Sequence, residues 1–168
     1  WGLDNGCSYK VDKWPPEELN RLVKGKDYGF PFAYGKRELD LTREDPQGTT
    51  KQEIAEKSEP SVLEFPAHSA PIAFRFFKDK QGFRGDALVC WHGSWNAAEV
   101  VGYKVQRIIY RDGKPTAVED FLSGFLVNGN KERFGRPAGL AITPENAVYV
   151  SDDANGNIYC VKPKNKYK

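Results

Sequence analysis

Short runs of β-prone residues, each closed off by Gly, Pro, Asn or Asp, recur along almost the whole chain. This spacing constrains the fold more than any other feature. The runs fall at 18–23, 61–65, 72–77, 87–92, 102–110, 116–122, 138–142, 147–151 and 157–161. Helical periodicity is nearly missing; the stretch 49–57 is short and polar and reads as loop. Val105 to Tyr110 is β-prone by residue type, and Asp112-Gly113 behind it supplies a turn, so 102–122 reads as a hairpin. Four strands between 72 and 125 and three between 138 and 161 repeat one plan, that of a β-propeller blade. A closed propeller needs at least about four blades, and 168 residues supply roughly two and a half. The expected fold is therefore all-β, either part of a propeller ring of which two to three blades are present or an open sheet sandwich. The segment 36–60 is charged and reads as a structureless surface loop inserted into that domain.

Composition narrows the function classes. Lys plus Arg number 25 against 23 Asp plus Glu, so the net charge of +2 gives no footprint for nucleic acid. The basic stretch 162–168 reads as a frayed terminus. No apolar run approaches the roughly 20 residues of a membrane span. Cys7, Cys90 and Cys160 allow one disulfide at most and do not fix a compartment. There is no methionine and the first residue is Trp1, so the chain reads as a processed form or a piece of something longer.

Between residues 85 and 161 the motifs come in a set order. They are Cys90-Trp91-His92-Gly93-Ser94-Trp95-Asn96, Gly102-Tyr103-Lys104-Val105, Glu119-Asp120-Phe121-Leu122-Ser123-Gly124-Phe125, Gly135-Arg136-Pro137-Ala138-Gly139-Leu140-Ala141, and Val150-Ser151-Asp152-Asp153-Ala154-Asn155-Gly156-Asn157. Upstream stand Trp1-Gly2-Leu3-Asp4-Asn5-Gly6, Pro15-Pro16-Glu17-Glu18-Leu19-Asn20, Tyr28-Gly29-Phe30-Pro31 and Pro66-Ala67-His68-Ser69-Ala70-Pro71. In order and spacing the chain resembles the C-terminal half of the sorbosone dehydrogenase family, the quinoprotein glucose/sorbosone dehydrogenase propellers. Only the 36–60 segment falls outside the resemblance.

The resemblance implies a six-bladed propeller that binds pyrroloquinoline quinone (PQQ) with a calcium ion (Ca2+). Such an enzyme oxidises sugars or sugar aldehydes in the periplasm or outside the cell and passes electrons to a cytochrome or another acceptor. It places the ion largely on backbone carbonyls of the loop that here reads Asn5-Gly6-Cys7, with Gly6 and Cys7 as the carbonyl donors and Asn5 beside the cofactor; oxygen ligands suit a hard cation. The ion polarises the reactive carbonyl of the quinone, and the protein positions and tunes it. The sequence departs from the family at Cys7-Ser8, where relatives carry Arg after the glycine. The family's general base sits in an early blade that precedes this stretch. The 168 residues alone are therefore expected to be inactive unless the missing propeller half or a second chain completes them.

Each candidate residue has a functional and a plain reading. His92 ends a strand, so its ring either faces the central funnel as a catalytic group or is a blade-edge histidine tied to backbone. His68 is either a cofactor contact or a turn cap. Trp95, beside Asn96, either stacks on the quinone or on a sugar ring, or caps the propeller core. Arg136 matches a cofactor-contact position, and a guanidinium grips carboxylates bidentately. Lys104 and Arg107 read as solvated. Asp152-Asp153 reads either as a calcium loop, though without the EF-hand pattern and its closing Glu, or more plainly as a turn between two strands of the last blade, and Asp4 with Asn5 as cofactor or ion contacts. Glu17 and Glu18 read as blade structure or a secondary calcium site. Tyr28 to Pro31 reads as a backbone corner with aromatic packing, and Cys90 as a buried, inert thiol.

Three functions compete. The first is part of a PQQ- and calcium-dependent sugar or aldose dehydrogenase. The second is a non-catalytic propeller module, in a larger assembly or in carbohydrate binding. The third is a calcium-dependent lactonase-type propeller hydrolase, which would hold its metal with side-chain carboxylates; beyond Asp152-Asp153 none falls at matching spacing here, and it does not explain His92 to Asn96.

Overall fold

The computed structural model describes residues 1–78, 83 and 85–162. It divides into two compact units, Trp1–His68 and Ser69–Lys168. The expected frayed tail lies, beyond Lys162, outside the described residues.

In the first unit, β1 (Gly2–Asp4), β2 (Glu17–Asn20), β3 (Ala33–Tyr34), β4 (Glu38–Leu39), the helix α1 (Lys51–Lys57) and β5 (Leu63–Phe65) follow one another. The main sheet is antiparallel in the order β1-β2-β5. All four residues of its central strand β2 are buried. The strand expected at 18–23 stops at Asn20, because residues 21–27 turn out into solvent. The 36–60 segment is not structureless. It carries β4 and α1, and it buries Asp40, Ala55 and Ser58. The helix, absent from the sequence reading, starts at a capping box. Thr50 Oγ1 accepts the Glu53 N–H at 3.2 Å and the Glu53 carboxylate accepts the Thr50 N–H at 3.3 Å. Asp40 is fully buried and accepts from Lys10 Nζ at 2.7 Å and from the Thr42 N–H at 2.9 Å, so this surface segment is tied to the loop after β1. The corner at 28–31 packs as expected, with the Phe30 ring edge-on to Tyr34 at 6.1 Å.

The second unit runs β6 (Pro71–Phe76), β7 (Ala87–Trp91), β8 (Lys104–Arg111), β9 (Lys114–Leu122), β10 (Leu126–Val127), β11 (Glu132–Arg133), β12 (Pro137–Ile142), β13 (Val148–Asp152) and β14 (Asn157–Val161). The sheets β6-β7-β8-β9 and β12-β13-β14 are the four- and three-stranded sets that turn spacing predicts. β8 and β9 join through Asp112 and Gly113, both with left-handed φ (51° and 73°), as the Asp-Gly signal requires. Every residue of β7 is buried. Leu88, Cys90 and Val105 from one sheet meet Leu140, Val148 and Val150 from the other, and Phe77 closes this core. Each such aliphatic side chain contributes roughly 1.5–3 kcal/mol of burial. Cys90 is fully buried, and burial, with the Asp153 charge second, pushes its thiol up to about 12, so it is inert as expected.

Arg107 corrects one expectation: it is not solvated. Its Nε donates to Asp86 at 2.8 Å, a second guanidinium nitrogen reaches the same carboxylate, and its Nη1 pairs with Glu119 at 2.9 Å. The guanidinium also lies 4.3 Å from the Phe83 ring centroid. Asp86 is 1% exposed and demands such a partner, which is what draws the cation in. Lys104 remains at the surface, paired with Asp120 at 2.9 Å.

Candidate functional site

The loop after β7 carries three of the candidate residues and is pinned by its backbone. The His92 N–H donates to the Ala70 carbonyl (2.9 Å), Gly93 to Ser69 (3.0 Å) and Ser94 to Val101 (3.0 Å), while Ser94 Oγ accepts the Val101 N–H at 3.1 Å. Gly93 has φ 99°, and a Cβ there would lie 2.2 Å from the Tyr103 ring, so only glycine fits. Tyr103 itself is buried with φ 53°, and its hydroxyl donates to the Ser94 carbonyl at 2.6 Å. A bulky aromatic held in the left-handed region marks a loop whose shape the surroundings impose.

His92 emerges from this frame 22% exposed and places Nε2 3.0 Å from Asp153 Oδ2. Arg136, just ahead of β12, donates from Nε to the other oxygen of that carboxylate at 2.6 Å. Three side chains from three loops of one unit thus meet at Asp153. The Arg136 hydrogen bond, with His92 behind it, holds the Asp153 carboxyl below the usual range despite some desolvation. A carboxylate accepts only, so the neutral His92 ring presents Nε2–H to Asp153 and keeps its basic lone pair on Nδ1.

The neighbouring acid does structural work. Asp152 is 2% exposed; its Oδ1 accepts the N–H groups of Arg136 (2.9 Å), Ala154 (3.0 Å) and Asn155 (3.3 Å). Its Oδ2 accepts from Asn155 Nδ2 (2.9 Å) and Tyr159 OH (3.1 Å). Burial pushes this carboxyl up, but the hydrogen bonds, led by the Arg136 N–H, outweigh it and hold it down at about 2. The turn reading of 152–157 therefore describes Asp152 and misses Asp153. The signal was available: adjacent residues at the end of a strand face opposite ways, so one acid of such a pair turns inward and the other outward.

Trp95 and Asn96 lie on the same loop and are both solvent-exposed, Trp95 by 79%. The indole therefore does not cap a core.

Asn5, Gly6, Cys7 and His68 belong to the first unit. Asn5 is exposed directly after β1. The Gly6 N–H donates to the buried Glu17 carboxylate at 2.8 Å, and a Cβ on Gly6 would lie 3.1 Å from both the Pro15 and Pro16 carbonyl oxygens. The Cys7 carbonyl accepts the Lys10 N–H (3.2 Å), and its thiol meets the Tyr34 hydroxyl at 3.5 Å. Burial first, then Cys7, raises the Tyr34 phenol. His68, with φ 65°, places Nε2 3.3 Å from the Val11 carbonyl, and its buried Nδ1 has no hydrogen-bond partner. Glu18 accepts from the Gly35 N–H at 2.6 Å and from Asn20 Nδ2 at 3.0 Å; burial still raises its carboxyl. Asp4 faces Glu18 in the strand register. Among the described residues no three His, Cys, Asp or Glu side chains converge on a metal-sized point, and no helix is long and apolar enough to cross a membrane.

Comparison with known proteins gives a consistent picture. The family described as TrAA12-like matches residues 14–164. An uncharacterised protein of Borreliella burgdorferi is 31% identical over 166 residues, 94% of this chain and 42% of the relative. Among solved structures, the calcium structure of a Trichoderma reesei enzyme of Carbohydrate-Active Enzymes Family AA12 superposes with a TM-score of 0.69 at 22% identity, over 89% of this chain and 43% of that one. The holo form of the pyranose dehydrogenase PQQ domain from Coprinopsis cinerea gives 0.69 and 22%, over 89% and 44%. A glucose dehydrogenase gives 0.62 at 17%, over 96% and 40%. The chain thus spans less than half the length of the proteins it matches. These likenesses show the fold: the antiparallel sheets are blades of a partial β-propeller of the kind found in PQQ domains.

Proposed function

The chain belongs to the TrAA12-like family, and from that premise we propose that it is part of a PQQ- and calcium-dependent dehydrogenase acting on a sugar or sugar aldehyde, in the sorbosone or glucose class. Export to the periplasm or beyond, and transfer of electrons to a cytochrome or similar acceptor, belong to the same proposal. The observation that carries it is the meeting of His92 and Arg136 on Asp153, beside a rigid loop that presents Trp95.

The residues fit the cofactor in kind. A carboxylate-bearing planar quinone asks for a guanidinium and hydrogen-bond donors, and the second unit supplies Arg136 and Asn96, while Trp95 on the same loop offers its face to the sugar ring. In the first unit the Gly6 loop brings main-chain oxygens close together where any side chain would crowd them. Among its described residues no three His, Cys, Asp or Glu side chains converge on a metal-sized point. Calcium there would take oxygen from main-chain carbonyls, with Asn5 alongside. The loop's Cys7 carbonyl already accepts one N–H, which leaves its second lone pair for an ion.

When bound, PQQ supplies the hydride acceptor. The chain's own residues do the rest. Asp153 accepts from His92 Nε2–H and so leaves Nδ1 as the acceptor that orients a substrate hydroxyl, whose proton the general base of an earlier blade would take. Asp153 stays ionised across the neutral range because Arg136 and His92 both stabilise its charge. Arg136 is oriented by the same carboxylate and by the Asp153 N–H donating to its carbonyl at 3.2 Å, so its fork is set before any anion arrives. His68, tied to the Val11 carbonyl, steadies the loop that follows Gly6.

The test is a titration with PQQ, with and without calcium, of the protein completed by the rest of its ring in its own longer chain or a second one, followed by the quinone absorbance and by aldose oxidation with a dye acceptor. Saturable calcium-dependent binding, weakened about tenfold or more in Arg136→Ala, is the expected result. His92→Ala should lower turnover by about tenfold or more with quinone binding kept. Absence of any saturable quinone signal would sink the proposal. Binding without turnover would favour the non-catalytic propeller module.

A further inference from the structure

Beside the indole of Trp95 the second unit encloses a cleft of about 270 Å3, lined also by Val100, Tyr103, Asn130, Lys131 and Arg133. Its two cations come from one short hairpin. β10 and β11 are joined through Asn128, Gly129 and Asn130, all three with left-handed φ (53°, 67° and 67°), which makes a tight and defined turn. Glu132, between the two cations in sequence, falls on the opposite face by strand alternation and does not line the cleft. Arg133 is held from below: its Nη1 donates to the Tyr103 hydroxyl at 3.3 Å and its guanidinium lies 5.9 Å from that ring's centroid. Tyr103 is in turn clamped against Gly93 and hydrogen-bonded to Ser94, the residue before Trp95. One strained, buried aromatic thus sets both the aromatic wall and one of the cations.

We propose that this cleft binds the ring of an acidic sugar, a pyranose bearing a carboxylate such as a uronic acid. This deepens the sugar-dehydrogenase reading and rests on it for the identity of the ring. The exposed indole gives the flat apolar face on which the C–H side of a pyranose stacks, with Val100 beside it. The Asn130 amide serves ring hydroxyls. Lys131 and Arg133 serve a carboxylate, Arg133 with a planar fork that matches its geometry. A neutral hexose would use the indole and leave both cations without an anion. The cleft has room for a single ring, which makes a monosaccharide or one terminal residue of a polymer the unit recognised.

The experiment is a fluorescence titration of the chain with D-glucuronate and with D-glucose, without quinone or calcium, so that its outcome is independent of cofactor binding. The expected result is a saturable tryptophan signal with glucuronate, absent in Trp95→Phe, and affinity for glucose at least about tenfold lower. Lys131→Gln/Arg133→Gln should weaken glucuronate binding about tenfold or more and leave glucose unchanged, and Arg133→Lys should recover part of the loss. Near-UV circular dichroism and an unchanged thermal unfolding midpoint check that the variants keep the fold. Equal affinities for the two sugars, or indifference to the double substitution in a variant that keeps its frame, would overturn the proposal. Competitive displacement of glucuronate by PQQ would also overturn it, by assigning the cations to the carboxylates of the quinone. If PQQ fails to bind while glucuronate binds as described, the acidic-sugar site stands and the dehydrogenase reading falls.

Discussion

Asp152 and Asp153 are neighbours in sequence with opposite tasks. Asp152 sits in a nest of backbone and side-chain donors and is held at about 2, against a usual value of 3.8. Its folded pKa is depressed, so the stability it contributes is full above pH 4 and is lost as pH falls from near 4 through 2. The contribution at neutral pH is roughly 2 kcal/mol. Urea unfolding of Asp152→Asn should therefore show a deficit of that order at pH 7 that shrinks when both proteins are compared at pH 2.5; a deficit independent of pH would contradict the charge argument. Asp86 allows a second test. Arg107→Leu removes both bonds to Asp86 Oδ2 and leaves this carboxylate, 1% exposed, only the Tyr110 N–H (2.8 Å) and the longer Arg111 contact (3.5 Å) on Oδ1, and should cost about 3 kcal/mol in the same assay. Residue type together with the resemblance gave His92 and Arg136 as candidates, because an imidazole and a guanidinium stand in motifs of the family. It could not give Asp153, since an Asp ahead of a turn is usually only a turn former, and the chain folding back on itself is what brings 92, 136 and 153 together. Arg107 was misread for a related reason: its partner Asp86 lies 21 positions away.

Among the elements, the longer strands were legible, whereas the two- and three-residue strands β1, β3, β4, β10 and β11 and the helix were not. Alternation and Gly, Pro, Asn and Asp punctuation mark β6–β9 and β12–β14 because each strand is bounded locally, whereas α1 has only seven residues and one buried side chain, Ala55. Its readable sign was the Thr50 to Glu53 spacing rather than any apolar period. Thr50→Ala should destabilise the helix by about 1 kcal/mol. The loss should appear as faster amide exchange confined to residues 51–57, while exchange in β2 stays unchanged. The loop after β7 gives a sharper case. Gly93→Ala places a methyl group inside the Tyr103 ring at a left-handed φ, and a cost of about 3 kcal/mol or more is expected in thermal unfolding. Adding Tyr103→Ala should relieve part of that cost, so the two substitutions combine non-additively.

For the whole molecule, sequence spacing was enough to give an all-β chain with blade-like sheets, because that architecture repeats short local signals. It could not give the division at residue 68, which depends on contacts made across long stretches of chain. The sheets also end differently. The outer strand β9 carries Lys114, Glu119 and Asp120, charges that discourage pairing with a neighbour. Among the described residues β14 pairs on one side only, with β13, and exposes Ile158 by 72%. Ile158→Lys should reduce concentration-dependent self-association, measured by light scattering, without altering the melting temperature by more than a degree or two. An unchanged scattering profile would show that β14 is not the adhesive edge.

The burial of Cys90 has a kinetic consequence. A thiol sealed in the middle strand of the four-stranded sheet, and raised to about 12, cannot react with an alkylating reagent until that sheet opens, whereas Cys160 is exposed and reacts at once. The delay between the two modification events, followed by mass spectrometry, is then a clock for the opening of the second unit. It runs in native buffer without denaturant, and a bound ligand that stabilises the sheet would slow it in proportion to its occupancy.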